Sequence, residues 1–189
     1  MIHLLTAQLF KETAEERGVE FFVGSLAPDA MHYPEKEHLH LRCVADRAAA
    51  MANLARNTDP EDDFAEGVLL HLYTDWQWDQ THLQNFRNSA DKSDKQWFKH
   101  YQRETGLASS WFYWNNPWAA RLWEDMLALP TERYGKMDGI APEHIRALLV
   151  NAHRWLSENQ VGPSAFYPPE VVDQFAQETA SNYQTWRPK

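Results

Sequence analysis

The stretch Gly67-Val68-Leu69-Leu70-His71-Leu72-Tyr73-Thr74-Asp75-Trp76 decides the fold. Its leucines are strong helix formers, and a helix that is apolar nearly all around is a buried one. His71 and Asp75 lie four residues apart, so on a helix their side chains project together from one face. An imidazole and a carboxylate in an apolar setting need a partner or a cation. At this spacing they can serve as adjacent ligands of one metal ion. With nine histidines in the chain, the spacing alone arises by chance, and the apolar surroundings make it informative.

Outward from this segment the composition is helical. Ala and Leu number 40 against 11 Val and Ile, which favours helices over strands. The expectation is an all-α chain, a single compact domain over 1–189 with six or seven helices, a metal-site half over about 1–86 and an aromatic-rich half over about 91–189. A first helix starts at Leu4-Leu5 and runs toward Arg17 and Gly18. Phe21 to Val23 leads into a tight turn at Gly24-Ser25-Leu26-Ala27-Pro28-Asp29, and 30–38 reads as a loop. A helix over 40–56 would bury Leu41, Val44, Ala48, Met51, Leu54 and Ala55, with Cys43 on the same apolar face. Asp59 as N-cap and Pro60 at the first helical position would open the central helix, which runs on to about Phe86. Gly106 and Asn115-Asn116-Pro117 read as breaks. Pro142 and Pro168-Pro169 open the last two helices.

The 189 residues carry 18 Lys and Arg against 27 Asp and Glu, a formal net charge of -9. No basic cluster suits duplex nucleic acid. No apolar run approaches the roughly 18 residues of a membrane span, and no secretory leader is visible, so a cytoplasmic location is expected. The single cysteine agrees with a reducing compartment. An acidic chain can still handle a phosphate ester if bound cations invert the charge locally.

Other segments supply ligand types. His3 sits in the apolar opening of the first helix, Asp29 ends the Gly-Pro turn, and a histidine-rich string holds His32, His38 and His40. Three imidazoles and two carboxylates together suit Zn²⁺ or a pair of divalent ions. Within that string the register stays open among His40, His38 and His32. Asp79 and His82 continue along the face of His71 and Asp75 and either orient ligands or form an exposed helix end. Most of the aromatic residues belong in a core, with Trp76, Trp78, Trp111 and Trp114 as candidates for a cleft wall.

An early His, then Phe-Phe-Val-Gly-Ser-Leu-Ala-Pro-Asp (21–29), then Lys36 leading to Leu39-His40-Leu41, then the segment Gly67 to Asp75 with its His-Leu-x-Thr-Asp, resembles the zinc-dependent phospholipase C family, related to the phospholipase C and P1 nuclease fold. The resemblance covers about the first 80 residues. It implies a helical fold with one or two Zn²⁺ ions, or other divalent metals, in a cleft. It also implies hydrolysis of a small-molecule or lipid-headgroup phosphate ester by a zinc-activated water. By position it makes Asp29, His40, His71 and Asp75 ligands of one ion, with Asp75 bridging to a second held by His3, and Asp29 the acceptor of the water's proton. The family's later ligand set has no clear match, His100, Glu143, His144 and His153 being the residues available. The alternative function is a non-catalytic metal-binding scaffold or interaction protein.

Overall fold

The computed structural model describes residues 1–13, 17–32, 34–90 and 95–187. Residues 14–16 of the expected first helix and Tyr33 of the histidine-rich string lie outside them. The described residues form helices and no strand.

Helix α5 (Asp63–Trp78) is the axis of the molecule. The Asp62 carboxylate accepts from the Ala65 backbone N–H at 3.0 Å and caps its start. Asp59, expected in that place, instead accepts from the Glu61 N–H in the preceding turn. Two glycines let α2 (Val19–Gly24) cross α5 backbone to backbone. A Cβ on Gly24 would stand 2.1 Å from the Phe64 carbonyl oxygen, and one on Gly67 2.1 Å from that of Phe21. This approach brings the carbonyl of Ser25 against His71.

Helices α1 (Ile2–Thr13) and α10 (Pro169–Trp186) pack along each other, with the Phe10 and Tyr183 rings edge to face. Arg187, just past α10, ties the C-terminal region down by pairing with the buried Glu66 of α5 at 2.9 Å. The remaining helices are α3 (Glu35–Leu39), α4 (Arg47–Asn57), α6 (Gln84–Ser89), α7 (Trp97–Asn115), α8 (Ala119–Ala128) and α9 (Pro142–Glu158). A π-helical turn, Asp79–Leu83, joins α5 to α6. Prolines open α9 and α10 as expected.

Several expectations need correction. The described residues hold ten α-helices, because short helices at 19–24, 35–39 and 84–89 carry too few residues for a periodic signal. Residues 35–39 are helical rather than loop. The helix expected over 40–56 starts only at Arg47, where Asp46 caps it by accepting from Ala49 N–H. Residues 40–46 turn instead, with Leu41 at φ 55, so Cys43 and Val44 are exposed, and Ala48 faces solvent from the first turn of α4. Gly106 does not break α7, since a helix-interior glycine costs only about 1 kcal/mol. No helix among the described residues is long and apolar enough to cross a membrane.

Candidate metal centre

His3, Asp29, His40, His71 and Asp75 converge at one end of a cavity of about 990 Å³, bordered by His3, Asp29 and Asp75. Helix α1 supplies His3, and the 3₁₀ turn Ala27–Ala30 supplies Asp29. His40 lies just past α3, and α5 supplies His71 and Asp75. His40 and His71 are fully buried. His40 is the member of its string that reaches the centre, whereas His32 and His38 are exposed.

The tautomers follow from backbone partners. His71 Nδ1 lies 2.8 Å from the Ser25 carbonyl oxygen, and His40 Nδ1 lies 2.8 Å from that of Lys36. A carbonyl only accepts, so each Nδ1 carries the proton and each neutral ring presents a lone pair at Nε2. Those two Nε2 atoms are 3.2 Å apart. Asp75 Oδ2 is 3.1 Å from His40 Nε2 and 3.8 Å from His71 Nε2. Three acceptors thus face one another, and only a positive charge at their centre, a proton on a ring or a metal ion, relieves the arrangement. Burial pushes His71 down to about 3, helped by neighbouring His3 and opposed by Asp29 and Asp75, so a proton there is unfavourable at neutral pH. Ligands about 2.0–2.1 Å from a tetrahedral cation lie about 3.3 Å apart, close to the observed spacing. The donor set and its spacing fit a divalent ion.

Around this core, His3 stacks on His71 with ring centroids 3.9 Å apart and brings Nε2 within 3.3 Å of Asp75 Oδ1. Its Nδ1 is buried and has no hydrogen-bond partner. Burial likewise lowers the pKa of His3. For Asp75, burial alone would raise the carboxyl, but the adjoining His40, His3 and His71 rings outweigh it and hold the group well below the usual carboxylate range. Asp29 follows the same pattern, with His71, Lys36 and His3 overriding burial. Lys36 Nζ lies 2.6 Å from Asp29 Oδ1.

Sequence reasoning missed the cations. Arg42 donates to Asp79 through Nε at 2.8 Å and Nη2 at 3.1 Å, to Asp75 Oδ2 at 3.3 Å and to Glu37 at 3.2 Å. Arg47 donates to Asp79 at 2.8 Å. Asp79 therefore belongs to the site's edge rather than to an exposed helix end, and it sits in a π-helical turn, a feature frequent at functional sites. His82 instead stacks on Trp78.

Of the four tryptophans expected to border a cleft, only Trp78 does, and Trp97, not one of the four, borders it too. Trp76 packs against Tyr73 and Trp186, Trp111 against Phe112, and Trp114 donates to the Leu156 carbonyl. The later histidines do not join the centre. His153 packs on Trp123 beside Tyr113, His144 and Glu143 are exposed, and His100 borders a separate groove.

No family model, curated protein or solved structure matches this chain.

Proposed function

We propose that the protein is a metal-dependent hydrolase of phosphate esters, of the kind its resemblance to the zinc-dependent phospholipase C family implies. The observation that supports this reading best is the meeting of two buried Nε2 lone pairs, 3.2 Å apart, with the Asp75 carboxylate at the end of a large cavity. His40, His71 and Asp75 would hold the ion, with Asp29 beside them. When bound, a divalent cation supplies Lewis acidity, lowering the pKa of a water toward about 7 and offsetting charge on phosphate oxygens.

The chain's own residues do the rest. The carbonyls of Ser25 and Lys36 fix the two ring tautomers, so both lone pairs aim at one point. His3 steadies Asp75 by holding its other oxygen. Lys36 occupies Oδ1 of Asp29 and leaves Oδ2 to accept a hydrogen bond from the attacking water. A carboxylate held so far down is a weak base, so in this reading Asp29 orients the water more than it deprotonates it.

The test is turnover of a phosphomonoester and a phosphodiester by metal-loaded protein. Hydrolysis should disappear on chelation and in Asp75→Ala. Metal binding with no turnover of either ester class would leave a binding scaffold and refute the hydrolase reading.

A further inference from the structure

The chain is strongly acidic, yet the cavity beside the candidate centre is not. Four carboxylates and four Lys or Arg side chains border it, so with neutral histidines the cavity itself is balanced while the whole chain carries -9. One divalent ion at His40, His71 and Asp75 would leave two positive charges uncompensated. A dianion cancels them, and a monoanion does not.

Arg47 holds the unspent donors for such an anion, and Arg42, whose three nitrogens already serve Asp79, Glu37 and Asp75, adds its charge. Asp79 anchors both Arg42 and Arg47, so the two guanidiniums stand side by side at the cavity edge despite their like charge. Arg42 reaches the candidate ligand Asp75, which places this pair directly against the centre. Arg47 spends one nitrogen on Asp79, and its buried Nε and Nη2 have no hydrogen-bond partner. Buried N–H groups are almost always satisfied, so two such nitrogens on a guanidinium that borders a cavity signal an absent acceptor. The Arg fork matches the paired oxygens of a phosphate. The backbone helps to present the pair: Leu41, between His40 and Arg42, adopts φ 55, a left-handed conformation uncommon for a non-glycine residue and typical of strained functional segments.

We infer that Arg42 and Arg47, mounted on Asp79, form an oxyanion subsite that selects a dianionic phosphate, so that the substrate class is a phosphate monoester rather than a diester. This rests on the phosphate-ester reading above and narrows it.

The experiment is calorimetric titration of the metal-loaded, dialysed protein with inorganic phosphate and, separately, with dimethyl phosphate, at a pH about two units above the pKa of roughly 6 of a phosphate monoester, where inorganic phosphate is mostly the dianion. Metal content is measured on the same samples. Phosphate should bind at least about tenfold more tightly than dimethyl phosphate. Arg47→Gln should erase most of that preference while retaining the metal and the wild-type melting temperature, and Arg47→Lys should restore part of it. Equal binding of the two anions, binding of neither, or a preference that survives in Arg47→Gln would overturn the inference. Failure of the metal reading shows separately, as wild-type protein that takes up no ion.

Discussion

Helix α5 carries two buried polar clusters, and they differ in completeness. Near its N-terminal end, Glu66 is almost wholly buried and accepts from Tyr183 Oη at 2.7 Å and from Arg187 Nε at 3.1 and 3.0 Å. Arg187 uses its other nitrogens on the carbonyls of Ala55 and Thr58. Burial and the adjacent carboxylate keep the Tyr183 phenol well above its ordinary pKa, and so protonated and donating. Every group there has a partner of the right kind. Two turns further on, His71 and Asp75 meet His40 with acceptor facing acceptor, beside an open cavity. A closed cluster of this sort fastens helices together, whereas an unclosed one calls for a ligand. Burial and charge alone do not separate the two, and the balance of donors against acceptors does.

The largest effect that could break this contrast lies at the closed end. Glu66→Ala leaves Arg187 buried without its carboxylate, and chemical denaturation should show a loss of about 3–5 kcal/mol. The metal content of the folded fraction should not change. A variant that loses its metal while remaining folded would mean that the two clusters act as one.

At the open end, a saturating divalent ion should stabilise the protein by about 2.7 kcal/mol at a hundredfold excess over Kd. Asp75→Asn should abolish that gain, as a thermal melt with and without metal would record. The same melt on Glu66→Gln should keep it.

Acid should sharpen the comparison further. In metal-free protein His71 is held down to about 3, against an ordinary 6.5, so between those values the unfolded chain binds a proton that the folded chain refuses. Stability should therefore fall as the pH drops from about 6.5 toward 3, and His71→Ala should flatten that slope. An unchanged slope would show that His71 is not the group responsible.

The smallest effect is a surface control. Arg121 and Asp125 form an exposed pair four residues apart, and Arg121→Ala should shift stability by no more than about 0.5 kcal/mol and leave the metal alone.

Much of the architecture could be read from local signals. The leucine-rich segment around His71, the prolines at the starts of α9 and α10 and the Asn115-Asn116-Pro117 break each act through neighbours in sequence. The five candidate ligands were named from residue type, setting and the family resemblance together, and the structure brings them near one another. What could not be read was non-local. Arg187 meets Glu66 across 121 positions, and no local pattern announces that pairing. Arg42 and Arg47 reach Asp79 only because the chain turns at 40–46 rather than continuing as a helix, and the left-handed Leu41 has no glycine to betray it. The tryptophans misled for a related reason: Trp76 and Trp78 are two residues apart on one helix and so face different surroundings, Trp186 for one and the cavity for the other.

The most direct test of the central claim is elemental analysis of the purified, tag-free protein beside His71→Ala and Asp75→Ala, before and after incubation with Zn²⁺ and Mn²⁺. The account predicts at least one equivalent of divalent metal in the wild type and none in either variant, with all three proteins folded. Wild-type protein that takes up no metal, or variants that keep it, would contradict it.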